Sequence, residues 1–403
     1  MMKRRIAQAA GAVLALGACS LAAAGMSDRS DGRSWTQLAV AEQSASAERP
    51  QSAMPSPTSV QRATAAFQQE PVRAVSAASR TGKDDVRIVV EGPAARIVTN
   101  AGAGGYQAFP DICRLRNHDL LCVFYAGYTH VSQPTPQLPR GGRICAVRSS
   151  DEGRTWSRAT VVADTPSDDR DPSVACLPDG TLLCNFFKYG LHGECDTCLT
   201  RSSDGGQTWS EPELVLPTFA TSTPIRRLRS GRLLLIVYTV DGGGSRSYPA
   251  VCLSDDRGRT WSAPHPIAER SGKRLDETDI FERRDGTLVA FMREVMCTAE
   301  SHDGGRTWSE AHDLGFPGHC PYLLQTRSGV LLMGHRVPET SLHYSTDEGR
   351  TWHGPVLIDH TIGAYPSLVA LRDGRILCVY YEEGAGSAIR AVTVRVERAD
   401  SRR

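Results

Sequence analysis

The sequence predicts an all-β fold, a six-bladed β-propeller whose blades are four-stranded antiparallel sheets. Two interleaved repeats predict it. The pattern S-x-D-x-G-x-T-W occurs five times in the 403 residues, at spacings of 44 to 53 residues, and an apolar hairpin occurs six times. Self-similarity at such a period indicates one supersecondary unit repeated around an axis, and four strands per unit are typical of propeller blades.

Composition excludes several other classes. Lys and Arg number 46 against 45 Asp and Glu, a formal charge of +1, which argues against a nucleic-acid-binding protein. Charged residues make up 23% and hydrophobic residues 40%, which argues against disorder of the whole chain. No stretch of 18 apolar residues occurs, so no ordinary transmembrane helix is predicted.

Residues 1–25 have the layout of a secretory signal peptide, with a basic start at Lys3 to Arg5 and an apolar segment from Ile6 to Leu16. Two cleavage sites remain open. Leu16 to Cys19 resembles a lipobox, which would place a lipid anchor on Cys19, whereas Ala22 to Ala24 suits an ordinary signal peptidase. Either way the sequence predicts an exported protein, periplasmic or extracellular, and membrane-anchored in the first case.

Residues 26–85 are rich in Ser, Ala, Gln and Arg and show neither helical nor strand periodicity. Such a segment cannot bury enough apolar surface to offset the entropy of ordering it, so it is predicted to be a disordered linker. The propeller is assigned to residues 86–403.

The five S-x-D-x-G-x-T-W boxes are expected to be structural turns between the third and fourth strands of a blade. They span Ser149–Trp156, Ser202–Trp209, Ser254–Trp261, Ser301–Trp308 and Ser345–Trp352. Within each box the Asp carboxylate is expected to accept N–H groups of the turn, and the Trp to pack between sheets.

The six apolar hairpins give the first two strands of each blade, with turns such as Asp179-Gly180 and Asp373-Gly374 that supply a positive φ. Five boxes on six blades predict how the ring closes. Asp85 to Glu91 would form the outer strand of the last blade and Ala388 to Val396 its third strand. A blade assembled from both chain ends has no continuous turn at which a box could lie.

Chemistry is expected where the innermost strands converge on the central channel. Seven polar residues start these strands and form a candidate small-ligand site: Asp111, Arg170, Asp171, Glu277, Asp279, His319 and Tyr365. Cysteines at equivalent strand positions are expected to be small core residues. No second C-x-x-C accompanies Cys195 and Cys198, so no zinc site is predicted, and a local disulfide there stays open. No other metal and no cofactor is predicted.

The repeated box resembles the Asp-box (BNR repeat) of the sialidase, or neuraminidase, superfamily, and the resemblance covers roughly Val86 to Val396. It implies that Tyr365, in a segment reading Y-P-S-L-V-A-L-R-D-G-R-I, is the nucleophile. It also implies that Glu277 activates this Tyr, and that Arg293 and Arg336 bind a substrate carboxylate. Arg170 and Asp279 are further candidate substrate contacts.

Two positions depart from the family pattern. Ala108 stands where the family's first-blade motif has an Arg. The loop after the first hairpin, residues 127–142, contains no Asp or Glu where the family has its general acid, and His130 is its only group that titrates near neutral pH. His130, Asp111 and Asp171 are therefore the candidate proton donors.

The function implied is a retaining exo-glycosidase that removes a terminal acidic sugar, sialic acid or a related one, from glycans. Two alternatives stay open, a glycosidase or lyase of different sugar specificity and a non-catalytic propeller that binds glycans or proteins. A glycan is the expected partner and nucleic acid is not. The sequence carries no signal for an oligomeric state.

Overall fold

The computed structural model describes residues 86–136, 138–239, 247–293, 296–337, 339–361, 363–384 and 386–398. The predicted signal peptide, the linker and Cys19 lie outside the described residues. The described chain is all-β, with one 3₁₀ turn at Glu269–Ser271. No helix in these ranges is long and apolar enough to cross a membrane. The strands form six antiparallel sheets arranged as a six-bladed propeller, which confirms the predicted fold.

The strands follow one another blade by blade. Blade 1 contains β2 (Tyr106–Arg114), β3 (Leu120–Gly127), β4 (Arg143–Ser149) and β5 (Thr160–Ala163). Blade 2 contains β6 (Asp168–Cys176), β7 (Leu182–Tyr189), β8 (Cys195–Ser202) and β9 (Glu213–Leu216). Blade 3 contains β10 (Phe219–Ala220), β11 (Arg226–Arg227), β12 (Leu233–Thr239), β13 (Pro249–Ser254) and β14 (His265–Pro266).

The second half of the ring repeats this order. Blade 4 contains β15 (Thr278–Glu282), β16 (Leu288–Met292), β17 (Cys297–Ser301) and β18 (His312–Asp313). Blade 5 contains β19 (Tyr322–Gln325), β20 (Leu331–Arg336), β21 (Thr340–Ser345) and β22 (His353–Asp359). Blade 6 contains β23 (Gly363–Ala370), β24 (Ile376–Glu382), β25 (Ala388–Arg398) and, at its outer edge, β1 (Val86–Val98).

Ring closure follows the predicted scheme. Strand β1 pairs antiparallel with β25 in the order β1-β25-β24-β23, so both chain ends build the last blade. Val86, Ile88 and Val90 of β1 pack against the apolar cluster that blades 5 and 6 share. Among the described residues, the cluster between blades 5 and 6 contains no box tryptophan, and β1 supplies apolar cover in its place.

The boxes are structural turns, as predicted. In the third box the Asp256 carboxylate accepts the backbone N–H groups of Arg259 (3.0 Å) and Thr260 (2.9 Å) and the Thr260 hydroxyl (2.6 Å). The Ser254 hydroxyl donates to the same carboxylate at 2.8 Å and accepts the N–H of Gly258, whose φ is +78°. These bonds satisfy the polar groups of a tight turn and free the box Trp to pack against the preceding blade.

Four equivalent positions at the inner ends of the blades have strained backbones. Phe109, Asp171, Cys320 and Tyr365 each precede a proline, and their φ values are 51°, 48°, 54° and 44°. A residue before proline normally adopts an extended conformation, and a left-handed one is unfavourable for any residue with a Cβ. All four side chains belong to residues that line the central channel. The strain is therefore concentrated where the channel opens, as it often is at functional sites.

Candidate active site

The channel mouth brings Tyr365 of blade 6 against Glu277, which directly precedes the first strand of blade 4. The Tyr365 hydroxyl donates a short hydrogen bond to Glu277 Oε1, although 88 residues separate the two in sequence. The Arg293 guanidinium contacts the same oxygen at 2.6 Å through Nη1. The thiol of Cys320 donates to the other oxygen, Oε2, at 2.8 Å. The Glu277 carboxylate is thus enclosed by three donors from three blades.

Electrostatics fix the ionisation of this pair. Burial opposes the charged form of Glu277, but Arg293 and Arg336 outweigh it and lower the pKa of Glu277 to about 2. Burial and the Glu277 charge raise the pKa of Tyr365 well above its usual 10. At neutral pH the free protein therefore holds an ionised Glu277 that accepts a hydrogen bond from a neutral phenol.

Two further arginines lie around this pair. Arg336 donates from Nη1 to the Gly363 carbonyl at 3.3 Å, and its charge acts on both Glu277 and Tyr365. Arg170 is 6% exposed, and its Cζ lies 5.4 Å from the ring centroid of Phe109. The nearest carboxylates, Asp168 and Asp171, lie 4.0 and 3.7 Å away, and no described residue accepts a hydrogen bond from Arg170. Its guanidinium is therefore paired at a distance with two buried carboxylates and keeps hydrogen-bonding capacity toward the channel.

Arg170 is equivalent in register to Ala108. Ala108 pairs with Tyr125 and Arg170 with Phe187, in both cases immediately before the bulge that contains the strained residue and its proline. The arginine missing from blade 1 thus has a counterpart one blade further along.

Asp171 lies in the channel with 4% of its surface exposed, and its Oδ1 accepts no hydrogen bond from any residue that the structure describes. Burial raises the pKa of Asp171 to about 7, with Glu277 and Asp168 adding to the rise and Arg170 opposing it. This carboxyl is therefore a channel group whose protonation changes near neutral pH.

The sequence predicts Asp111 and Asp279 as site residues, but in the structure their carboxylates bond to residues of neighbouring blades. Asp111 accepts the N–H of Val174 at 2.7 Å and the Ser367 hydroxyl at 2.6 Å. Asp279 accepts the N–H of Leu323 at 2.7 Å and forms a buried ion pair with Arg226. Each therefore joins its blade to a neighbouring one, and we assign neither a contact with substrate.

His130 lies at the rim of the mouth and is exposed. Its ring centroid lies 5.3 Å from that of Phe109, and the Phe109 centroid lies 5.0 Å from that of Tyr365. The Tyr106 hydroxyl contacts His130 Nδ1 at 2.9 Å.

Several residues around the site carry no sequence signal. The contacts of Cys320, Tyr106 and Glu383 were not predicted, because single residues on different blades have no common spacing. His319 contributes its carbonyl, which accepts the N–H of Arg336 at 3.2 Å. Cys195 and Cys198 are not bridged to each other, so the disulfide that the sequence left open is not formed. No cluster of three or more metal-ligating side chains occurs in the described ranges.

Comparison with known proteins agrees with this architecture. The sequence model of the BNR repeat-like domain matches residues 143–378, more than half of the chain. The chain belongs to the BNR repeat-like family. It is a six-bladed BNR propeller of the sialidase superfamily, as the repeated boxes predicted.

Individual relatives of this BNR propeller are distant. A sialidase of Micromonospora viridifaciens is 27% identical over 328 residues, which cover 66% of this chain and 48% of the relative. This chain therefore spans about half the length of that sialidase. A Dyadobacter fermentans protein of unknown function has a similar structure, with a TM-score of 0.65 and 22% identity over 78% of this chain and 100% of its own. The Hadza microbial sialidase Hz136 gives a TM-score of 0.61 and 18% identity over 76% of this chain and 69% of its own.

Proposed function

We propose that this protein is a retaining exo-glycosidase that hydrolyses the glycosidic bond of a terminal acidic sugar on a glycan, with Tyr365 as nucleophile and Glu277 as its base. The observation that carries the proposal is the direct hydrogen bond from the Tyr365 hydroxyl to the ionised Glu277 in the strained channel mouth. Retaining glycosidases of this kind are the exception to the usual pair of carboxylates.

A phenol suits an anionic substrate better than a carboxylate does. Two unit charges about 4 Å apart repel by roughly 4 kcal/mol at an effective dielectric constant near 20, and a neutral Tyr avoids this repulsion. The disadvantage is its pKa, because ionising a phenol of pKa near 10 at pH 7 costs about 4 kcal/mol. Glu277 Oε1 is placed to take the proton as the Tyr365 oxygen bonds to the anomeric carbon.

The surrounding arginines support the proposal in two ways, through substrate binding and through the basicity of Glu277. Arg293, Arg336 and Arg170 offer guanidinium groups to a substrate carboxylate, which they can bind bidentately. Two of them, Arg293 and Arg336, also lower the pKa of Glu277 to about 2 in the free protein. A bound carboxylate would offset part of their charge and so raise the pKa of Glu277, making it a stronger base when substrate is present.

Sialic acid is the first substrate to test, because two of the relatives are sialidases. The absence of a first-blade arginine at Ala108 favours testing other acidic sugars beside it. Arg170 approaches a carboxylate from blade 2 instead, so a different arrangement of hydroxyl groups around the carboxylate is expected to fit.

The test is a panel of 4-nitrophenyl glycosides of sialic acid, a deaminated sialic acid, glucuronic acid and galactose. Turnover of at least one acidic glycoside, a first product of retained configuration by proton NMR, and loss of turnover but not of binding in Tyr365→Phe are expected. An inverted first product, or full activity of Tyr365→Phe, would refute the mechanism.

A further inference from the structure

The reaction proposed above needs a proton for the departing glycan oxygen. A set of hydrogen-bonded side chains at the channel mouth includes a group that can donate one. Tyr106 donates its hydroxyl proton to the Glu383 carboxylate, with O···O distances of 2.9 and 3.1 Å. The Tyr106 oxygen also lies 2.9 Å from Nδ1 of His130. Three side chains, one from a strand and two from rim loops, thus form a hydrogen-bonded series from Glu383 through Tyr106 to His130.

These hydrogen bonds determine which nitrogen of His130 carries a proton. An ionised carboxylate only accepts hydrogen bonds, so the single hydroxyl proton of Tyr106 points to Glu383. Its oxygen then accepts from Nδ1–H of His130. Nε2 is left as the nitrogen that gains and loses a proton, and no described residue makes a hydrogen bond to it.

The loop that carries His130 is held firmly. The Ser132 N–H donates to Asp168 Oδ2 at 3.0 Å, and the Ser132 hydroxyl accepts the N–H groups of Tyr128 at 3.0 Å and Thr129 at 3.2 Å. Asp168 also accepts the Tyr125 hydroxyl at 2.9 Å and is fully buried. The imidazole therefore has a supported position, which an acid–base group requires.

We propose that His130 is the acid–base residue of this glycosidase reaction, and that Tyr106 and Glu383 position it. In the first step the Tyr365 oxygen bonds to the anomeric carbon while its proton passes to Glu277. The bond from that carbon to the glycan oxygen breaks, and this oxygen takes its electron pair and the Nε2 proton of His130. In the second step a water gives a proton back to Nε2 as its oxygen attacks, the bond to Tyr365 breaks, and Glu277 returns the Tyr365 proton.

The charges around His130 link its protonation to substrate binding. Enclosure by protein lowers the pKa of His130 to about 3 in the free protein, helped by Arg170 and Arg336 and opposed by Glu277. Glu383 does not contact the ring itself; it bonds to the Tyr106 hydroxyl that contacts Nδ1. A substrate carboxylate among the arginines offsets their charge, which favours the protonated ring at the moment it is needed.

The inference rests on the proposed function. The dependence of kcat/KM on the leaving group tests the role of His130 separately from the glycosidase activity itself. 4-Nitrophenol leaves without protonation, whereas a lactosyl hydroxyl requires it. For the acidic sugar that the wild type turns over, His130→Gln is expected to lower kcat/KM on the lactosyl glycoside by about 10² to 10⁴ and on the 4-nitrophenyl glycoside by less than about tenfold. His192→Gln, on the adjacent rim loop, is the matched control and should change neither.

Glu383→Gln tests the positioning role on an exposed residue whose substitution should not disturb folding. Loss of the carboxylate should move the alkaline limb of the pH–rate profile on the lactosyl glycoside to lower pH, because the protonated His130 ring loses the stabilising negative charge. A merely structural role of Glu383 would lower kcat without moving that limb. Equal losses of His130→Gln on both substrates, no loss on either, or leaving-group dependence in Asp171→Asn instead would overturn the inference. A wild type inactive on every acidic glycoside would overturn the proposed function, and this inference with it.

Discussion

Glu277→Gln removes one negative charge from contact with Tyr365 and Arg293 while preserving side-chain volume. In the wild type Glu277 Oε1 accepts the Tyr365 hydroxyl proton directly. An amide oxygen accepts a hydrogen bond but does not take a proton at neutral pH. In the variant Tyr365 must therefore ionise into solvent, and burial acts against this while the two neighbouring arginines favour it.

The size of the effect follows from the Tyr365 pKa. A phenol with the ordinary pKa of 10 is ionised in about one molecule in 10³ at pH 7, which corresponds to about 4 kcal/mol of activation free energy, and burial holds the pKa of Tyr365 above that value. We therefore expect kcat to fall by at least about 10³ at pH 7. It should also rise about tenfold per pH unit up to pH 9, because each unit increases the phenolate fraction tenfold.

The measurement is kcat against pH, from 5 to 9, on the 4-nitrophenyl glycoside that the wild type turns over. Glu282→Gln is the control, since Glu282 lies on the same blade and pairs with Arg229 away from the site. Thermal unfolding of both variants verifies that they fold. A loss below about tenfold, or a pH profile parallel to that of the wild type, would show that Glu277 is not the base of Tyr365.

Four further predictions concern Arg293, the buried Asp171, strand β1 and the processing at Cys19. Arg293→Ala should lower kcat/KM for an acidic glycoside by about 10- to 100-fold and less for a neutral one, since a charge-assisted hydrogen bond contributes about 1.5 to 3 kcal/mol; equal losses on both would contradict this. Because the raised pKa of Asp171, about 7, makes the folded state bind its proton more tightly than the unfolded state, this group's contribution to stability is present below about pH 4 and lost as pH rises through 7. Asp171→Asn should accordingly raise the melting temperature at pH 8 more than at pH 4. A chain that begins at residue 99 lacks β1 and should aggregate through the exposed edge of β25, visible by light scattering, whereas a monomeric product would argue against the closure role. Mass spectrometry should find a lipid on Cys19 if the lipobox is used, and an unmodified start at Gly25 would exclude it.

The fold was predictable because each blade repeats its own local chemistry. The box needs a carboxylate, a hydroxyl and a glycine of positive φ at fixed spacing, as Asp256, Ser254 and Gly258 show, so the turn identifies itself wherever it occurs. The missing sixth box likewise indicated that the last blade is assembled from both chain ends. The inner strand of blade 3 was not resolved by sequence, because it is divided into β10 and β11, which pair separately with β12.

The sequence also indicated Tyr365, Glu277 and Arg293 through their resemblance to a family pattern, but not which neighbours complete the site. Asp111 and Asp171 both occupy the inner ends of blades, yet Asp111 is held in hydrogen bonds between blades, whereas Asp171 Oδ1 accepts no hydrogen bond from the described residues. The two residues are not equivalent in register: Asp171 matches Phe109, before the proline, whereas Asp111 lies two positions further, beyond the bulge, where its side chain bonds between blades.

The sequence by itself determined the number of blades, the boxes and the closure, because those depend on contacts between residues close in the chain or on a pattern repeated many times. Only the tertiary structure decided that Cys320 donates to Glu277 and that Glu383 reaches His130 through Tyr106. Glu383 and Tyr106 are 277 residues apart and share no repeat. Their meeting depends on closing a ring of six sheets, which brings distant rim loops together without leaving any periodic signal in the chain.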